Sequence, residues 1–162
     1  MAPTHDPAKS ADPLPSGTTQ VVDVHFEDLD PTGVLHNSRY LLLVERAVTG
    51  FWLSQGWHYD SARSAFAESM QVVRTQTITY HQPIVEPGRI AVHFWVDRIG
   101  NTSYTYGYQI RSLDRTALYA EGSRVQVNLD STTLMPTPIT GGVKEIAVRL
   151  IGDPVGRTAR AA

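Results

Sequence analysis

Four long segments between residues 71 and 129 alternate polar and apolar residues with a period of two. They run over Gln71–Tyr80, Ile90–Ile99, Ser103–Ser112 and Leu118–Leu129. Their β-branched and aromatic content favours strands. Short turns join the last three, which must therefore pair antiparallel, because such connections cannot cross over a sheet. The pattern restricts the chain to an antiparallel sheet whose apolar face needs a cover.

The cover is a helix predicted over Tyr40–Leu53, whose apolar residues recur at helical spacing. This stripe consists of Tyr40, Val44, Ala47, Val48 and Phe51. Leucines on neighbouring positions widen the stripe, which predicts a helix buried on most sides. A first short strand is predicted over Gln20–Phe26. Gly107 and Gly122 lie inside strands, where glycine usually marks a bulge or a close backbone approach. We therefore expect an α+β fold, an antiparallel sheet wrapped around a central helix.

The length of 162 residues fits a single domain with a sizeable core. Residues 1–19 hold four of the ten prolines and few large apolar groups, so we expect a mobile tail there. The domain is expected to cover residues 20–140. Residues 141–162 contain one weakly apolar piece and are expected to form a partly mobile extension.

The charge and composition exclude several classes of function. The net charge is −2 and the basic residues are scattered, which argues against binding to nucleic acid or to a membrane surface. The absence of cysteine excludes disulfides and a thiol nucleophile. No apolar run approaches the ~20 residues of a membrane helix, and the N-terminus lacks the apolar core of a signal peptide. We expect a cytoplasmic protein.

The segment Phe26–Tyr40 carries the densest set of reactive side chains. It links the first strand to the helix and contains Asp28, Asp30 and His36. A carboxylate placed just ahead of a helix lies beside N–H donors that have no partner within the helix. Such an arrangement suits a base or a nucleophile acting next to a site for a developing oxyanion. We therefore predict the active site in this loop.

The same loop resembles the signature of the 4-hydroxybenzoyl-CoA thioesterase family of hotdog-fold proteins. That signature has an Asp-x-Asp, a Gly three residues on, a polar pair, a Tyr opening the helix and a Glu within it. The matching residues are Asp28, Asp30, Gly33, His36, Asn37, Tyr40 and Glu45. Later segments are similar too, namely Val73–Tyr80, Pro83–Gly88, Arg98–Ser103 and Ala120–Gly122. The resemblance covers roughly residues 21–138 and implies a hotdog fold.

The resemblance implies hydrolysis of an acyl-CoA or acyl-carrier-protein thioester by a homodimer or homotetramer. No cofactor is implied, since CoA belongs to the substrate. Asp30 would be the catalytic carboxylate, and a backbone N–H near Asn37 would polarise the thioester carbonyl. Some hotdog proteins use a helix glutamate, so Glu45 is the alternative acid. Gly33 and Tyr40 would contact substrate.

Each candidate residue also has a structural interpretation. Asp30 suits a turn, where its carboxylate would accept a local N–H. Asp28 is expected to be structural. His36 could act as a general acid or contact the loop backbone. Asn37, or Ser38 beside it, is predicted to cap the helix. For Glu45, a salt bridge or hydrogen bond inside the dimer is slightly favoured.

A second group of candidates lies in the predicted turn between two strands. Arg98, Thr102 and Ser103 offer a cation and hydroxyls that could contact CoA phosphates. Exposed hairpin turns have the same composition for conformational reasons. The neighbouring tyrosines at 104, 106 and 108 are expected in the core or at an interface.

Two other functions remain open on the sequence alone. One is hydration or dehydration of an acyl thioester, which Asp30 and His36 loosely permit. The other is a non-catalytic dimer that binds acyl thioesters. No histidine pair has metal-ligand spacing, so no metal site is predicted. The acyl group is not specified, because Trp52, Trp57 and Trp95 could line a pocket or fill the core.

Overall fold

The computed structural model describes residues 14, 16–66, 70–139 and 141–151. Its strands are β1 (Thr18–Val24), β2 (Met70–Tyr80), β3 (Gly88–Ile99), β4 (Ser103–Arg111) and β5 (Leu118–Leu129). Its α-helices are α1 (Asn37–Ser54) and α2 (Gly141–Arg149). The strands form one antiparallel sheet in the order β1-β3-β4-β5-β2, so β1 and β2 are its edges. This is the α+β hotdog arrangement predicted from the sequence.

Helix α1 lies over the inner face of the sheet, against β1 and β3. All five residues of the predicted stripe are buried, from Tyr40 to Phe51. They pack on the inward residues of β3, of which Val92, Phe94 and Val96 are fully buried. The last turn is different, because Leu53 is 46% exposed. The inward residues of β3 and the apolar stripe of α1 therefore form one core.

Three tyrosines of β4 belong to this core, and they bring polar atoms into it. Tyr104, Tyr106 and Tyr108 are each at most 1% exposed. The Trp52 Nε1–H donates a hydrogen bond to the Tyr106 hydroxyl across 2.8 Å, which ties α1 to β4. Burial raises the pKa of Tyr106 to about 12. These phenols therefore stay neutral and act as hydrogen-bonding core residues.

The two strand glycines mark close approaches, as predicted. A Cβ at Gly107 would overlap the indole ring of Trp95, which lies on the outer face of the sheet. A Cβ at Gly122 would overlap the Thr77 carbonyl on the neighbouring strand. Both positions exclude a side chain for reasons of space.

The chain beyond residue 140 adds a helix that the sequence reasoning did not predict. In α2, Val143 and Ala147 are buried, and Leu150 follows them into the core. The Val96 N–H donates to the Leu150 carbonyl across 2.7 Å, which fastens this segment to β3. The packed structure therefore continues to Ile151.

Two other segments differ from or fall outside the expectations. The first strand begins at Thr18, inside the stretch expected to be a tail. Residues 1–13 and 15 of that stretch, and residues 152–162 of the expected extension, lie outside the described residues. Residues 61–66 form turns between α1 and β2. Neither helix of the described chain has the length and apolar character needed to cross a membrane.

Candidate active site

The loop between β1 and α1 is a tight turn that ends directly before the helix. Leu29 and Leu35 pair as an isolated antiparallel bridge. Inside it, the Asp30 N–H donates to the Val34 carbonyl across 2.8 Å, and the Gly33 N–H donates to the Asp30 carbonyl across 2.9 Å. Gly33 has a φ of 81°, a conformation that glycine adopts at little cost. The turn therefore brings Asp30 close to the start of α1.

The Asp30 carboxylate has one engaged oxygen and one without a partner. Oδ1 accepts from the Thr32 hydroxyl at 2.5 Å, the Thr32 N–H at 2.8 Å and the Val34 N–H at 3.4 Å. These hydrogen bonds, led by that of the Thr32 hydroxyl, hold the pKa of Asp30 below its usual range. Oδ2 has no hydrogen-bond partner in the described part of the chain. Asp30 is thus an ionised carboxylate with a fixed orientation.

The first turn of α1 leaves one backbone donor available. The N-cap is His36, not Asn37 or Ser38 as predicted, and its Nδ1 accepts the Ser38 N–H at 3.3 Å. The Asn37 side chain also accepts from the Ser38 N–H, at 2.9 Å, and the Arg39 N–H donates to the His36 carbonyl. Within the described chain, the Asn37 N–H has no acceptor. A helix N-terminus with a free N–H attracts negative charge.

A small cavity of about 300 Å³ opens beside Asn37. The rings of Tyr40 and Tyr80 form one wall and meet edge to face, with centroids 5.0 Å apart. The Tyr40 hydroxyl accepts the Ile84 N–H at 3.2 Å, and burial raises the pKa of Tyr40. The Tyr80 hydroxyl donates to the Asn37 carbonyl at 3.2 Å. Of the predicted site residues, Asn37 and Tyr40 therefore line this cavity, and Asp30, Gly33 and His36 lie in the turn directly before it.

Asp28 anchors the loop to the helix. Its side chain is 2% exposed, and Oδ2 accepts the His25 N–H at 3.0 Å and Arg46 Nη1 at 3.3 Å. Arg39 lies 3.7 Å from Oδ1. Burial by itself would raise the pKa of Asp28, but the hydrogen bonds from His25 and Arg46 outweigh it and lower that pKa. The carboxylate thus joins the end of β1 to the third turn of α1.

Glu45 lies apart from the loop, two turns along α1 and about 12 Å from Asn37 along the helix axis. Its Oε2 is 2.5 Å from Nη2 of Arg124, and its Oε1 accepts from the Thr49 hydroxyl at 3.2 Å. Its side chain is 50% exposed and lines a larger cavity of about 390 Å³. Sequence reasoning missed Arg124, although a charged residue at an inward position of a predicted strand is the kind of signal that could have revealed it.

The predicted phosphate-binding turn lies at the other end of the sheet. Along β3, Gly88 pairs with Val24 beside the loop, whereas Arg98 comes near the far end of the strand. The turn itself is ordered, because the Gly100 N–H donates to the Ser103 carbonyl and the Asn128 N–H to that of Thr102. A single chain therefore does not bring Arg98, Thr102 or Ser103 to Asp30.

Metal ligands do not cluster among the described residues, where no group of three or more His, Asp or Glu side chains is placed to hold an ion.

Comparison with known proteins places this arrangement in a family. The sequence profile of the Thioesterase-like superfamily matches residues 24–147, which include the loop, α1 and the whole sheet from β2 to β5. The profile does not single out the 4-hydroxybenzoyl-CoA thioesterases within that superfamily. A search of curated proteins finds no match.

Solved structures with the same fold come from several bacteria. PA5185 from Pseudomonas aeruginosa is 19% identical with a TM-score of 0.74, covering 85% of this chain and 94% of its own. The 1,4-dihydroxy-2-naphthoyl-CoA thioesterase Slr0204 from Synechocystis is 16% identical with a TM-score of 0.67, covering 80% and 94%. The DHNA-CoA thioesterase from Staphylococcus aureus is 17% identical with a TM-score of 0.68, covering 82% and 87%. At these identities the likeness concerns the fold.

Proposed function

This chain belongs to the Thioesterase-like superfamily, and from that premise we propose that it hydrolyses an acyl-CoA or acyl-carrier-protein thioester. The observation that carries the proposal is the position of the ionised Asp30 in the turn directly before α1, whose first N–H, that of Asn37, has no partner in the described chain. The Asp30 carboxylate supplies a fixed negative charge, and the Asn37 N–H can donate a hydrogen bond to an oxyanion. Thioester hydrolysis needs both. The proposal includes action in the cytoplasm without a cofactor.

In the proposed reaction, the substrate carbonyl oxygen lies against the Asn37 N–H, which polarises the carbon. Asp30 Oδ2 either attacks that carbon or removes a proton from an attacking water. Attack by the carboxylate expels the thiolate and forms a mixed anhydride, which water then cleaves to the free acid and Asp30. In the other case, water adds directly and the thiolate leaves. Both routes pass through an oxyanion that the N–H stabilises.

His36 would take a secondary role in this scheme. Its Nδ1 accepts the Ser38 N–H, which leaves the proton on Nε2 in the neutral ring. The electrostatic interaction with His36 further lowers the pKa of Asp30. The main contribution of His36 is to fix the start of α1.

We propose that the active form is a homodimer, or a tetramer of such dimers, joined along β2. This edge strand leaves Met70, Val73 and Tyr80 at least 38% exposed. Its outer backbone groups have no neighbouring strand in the described chain. A second copy pairing there would remove an exposed sheet edge. It could also bring the partner's phosphate-binding turn, equivalent to Arg98–Ser103, toward Asp30.

The test is a thiol-release assay over acyl-CoA esters of different length, applied to wild type, Asp30→Asn and Glu45→Gln. Asparagine keeps the turn but removes the charge, so kcat should fall by at least ~100-fold with little change in KM. Glu45→Gln should retain most of the activity. If Asp30→Asn is nearly active while a folded Glu45→Gln is inactive, Glu45 is the catalytic acid. If wild type releases no thiol from any ester, the hydrolase proposal fails.

A further inference from the structure

The chain that leaves α1 forms a compact loop whose two ends lie side by side. The Gly56 N–H donates to the Leu53 carbonyl at 3.1 Å, so the loop starts directly at the end of the helix. The Ala65 N–H donates to the Gly56 carbonyl across 2.9 Å and closes it. Residues 56–65 are therefore an Ω-loop, a type of loop that packs on its own side chains and frequently carries function.

Side chains of the Ω-loop fix its conformation. The Ser64 hydroxyl accepts the His58 N–H at 3.2 Å and the Phe66 N–H at 3.1 Å, which joins the beginning of the loop to the residue that follows it. At the tip, the Asp60 carboxylate accepts the Ala62 N–H at 3.1 Å. The Ω-loop is therefore a preformed unit whose shape depends on its own hydrogen bonds, and on Ser64 above all.

The Ω-loop forms one wall of the large cavity of about 390 Å³, a volume in the range of small-molecule sites. Val48, Thr49 and Trp52 of α1 line the cavity from another side. None of the described residues lines both this cavity and the small one beside Asn37, so the large cavity is a site of its own. The residues that the loop contributes to its lining are Trp57, His58, Tyr59, Ser61 and Ser64.

Aromatic rings supply much of the apolar wall, and their orientation is fixed. The Trp52 Nε1–H is held by the Tyr106 hydroxyl at 2.8 Å. The rings of Trp52 and Phe66 meet edge to face with centroids 6.1 Å apart, and both residues are buried. A further ring stacked or set edgewise against such walls gains more than its buried area alone provides. The wall therefore favours an aromatic group over an aliphatic chain.

The charges around the cavity oppose an anionic ligand. Glu45 contributes a carboxylate, which Nη2 of Arg124 already neutralises at 2.5 Å. Apart from His58, no side chain of the described lining can carry a positive charge. A carboxylate or sulfonate placed in the cavity would lose its hydration without gaining a cation as partner. The cavity is therefore suited to an uncharged group.

We propose that the large cavity binds an uncharged, mainly aromatic group, and that the Ω-loop holds this group against α1. The aromatic acyl group of a thioester and a free aromatic molecule present the same chemistry to these walls. The inference goes beyond the proposed hydrolysis, because binding in this cavity requires neither Asp30 nor Asn37.

Binding is measured by fluorescence with two probes that share one ring system. N-phenyl-1-naphthylamine is uncharged, and 8-anilinonaphthalene-1-sulfonate adds a sulfonate to it. The full-length wild type should bind the uncharged probe at least ~10-fold more tightly, because no cation compensates the buried sulfonate. Asp30→Asn should bind it as wild type does, so the titration does not depend on hydrolysis.

Two pairs of variants locate the bound probe. Thr49→Trp fills the cavity from α1 and should weaken binding of the uncharged probe by at least ~10-fold, whereas the smaller change Thr49→Val should alter Kd by less than about twofold. Ser64→Ala releases the two N–H groups that shape the Ω-loop and should weaken binding about threefold or more. Ser61→Ala in the same loop should leave Kd unchanged, because the Ser61 side chain makes no hydrogen bond within the described chain. Circular dichroism shows which variants are folded, and the Thr49 pair suffices if Ser64→Ala is not.

Thiol release then separates the two sources of the aromatic group. If the cavity holds the acyl group, the uncharged probe should raise KM for 2-naphthoyl-CoA and hardly alter KM for acetyl-CoA. If the ligand is a free molecule, the probe should bind with the same Kd and leave both KM values unchanged. Either result supports the site, and the first also rests on the proposed thioesterase function. Release from neither ester would refute that function and leave the probe titration to decide the site.

Three results would overturn the inference. Equal affinity of wild type for the two probes would show that the site does not select an uncharged group. Binding to Thr49→Trp as tight as to wild type would place the probe outside the large cavity. A Thr49→Trp variant that dissociates the oligomer in sedimentation, while wild type binds no probe, would make the cavity an interface between two copies of the chain.

Discussion

Replacing Asn37 by proline tests the proposed oxyanion donor directly, because the change removes one backbone N–H. Asn37 is the first residue of α1, a position that proline favours since its ring fixes a helical φ. The preceding residue must be extended, and His36 already has φ −60° and ψ 136°. The substitution should therefore be accepted without bending the helix.

The matched control is Asn37→Ala, which keeps the N–H. Both variants lose the hydrogen bond from the Ser38 N–H to the Asn37 side chain, but His36 Nδ1 remains as an acceptor for it. The shared cost should stay below about 1 kcal/mol, the typical value of a cap. For a chain of this size that corresponds to a melting temperature lower by about 2–4 °C.

Activity should separate the two variants where stability does not. Loss of one oxyanion donor typically lowers kcat by about 100- to 1000-fold. We expect that loss for Asn37→Pro in the thiol-release assay and a change within about threefold for Asn37→Ala. KM should be similar in both, because the interaction strengthens in the transition state. A folded Asn37→Pro variant as active as Asn37→Ala would refute the assignment of this N–H.

Three further predictions concern the parts that hold the site. Asp28→Asn should lower the free energy of unfolding by about 2 kcal/mol at pH 7 relative to the exposed control Asp23→Asn, because it weakens charged hydrogen bonds. In urea titrations that deficit should shrink as the pH falls below about 4, the ordinary carboxyl pKa, and vanish only below the lowered pKa of folded Asp28, since such a group stabilises only while ionised. Equal midpoints at pH 7 would show that the ion pair adds nothing. Gly122→Ala should destabilise more than Gly50→Ala, where the Cβ meets nothing, and equal melting temperatures would contradict the close approach. Val73→Lys should dissociate the proposed dimer in sedimentation, and a dimer unchanged by it would place the interface elsewhere.

Local patterns predicted most of the fold. Apolar residues recur with a period of two in the strands and of 3.6 in α1, because the sheet and the helix each bury one face against the other. These periods predict both kinds of element. The close approach at Gly122 was predictable for a different reason, because a glycine inside a strand usually marks a place without room for a Cβ. The spacing of Val143, Ala147 and Leu150 is helical and could have predicted α2. The segment has few apolar residues, however, so the sequence did not indicate that it packs against β3.

The positions of side chains that are distant in the sequence depend on how the strands pair, and the sequence did not show that pairing. The loop around Asp30 is local, so its turn chemistry and its position before α1 could be read directly. Arg98 resembles a ligand-binding residue in the sequence, but the register of β3 against β1 puts it at the other end of the sheet. The partner of Glu45 is 79 positions away, and only the pairing of β4 with β5 brings Arg124 beneath the helix.

The two aspartates of the loop show how neighbouring residues of one type acquire different tasks. Asp28 is buried, and both of its oxygens are committed to groups of β1 and α1. Asp30, two residues later, has one oxygen held by its own turn and the other without a partner. An attacking group must be ionised, oriented and accessible, and only Asp30 meets all three conditions. Asp28 meets the first two, and through its contacts it fixes the distance between the turn and α1. The reactivity that we propose for Asp30 and the rigidity that Asp28 provides thus depend on the same short loop.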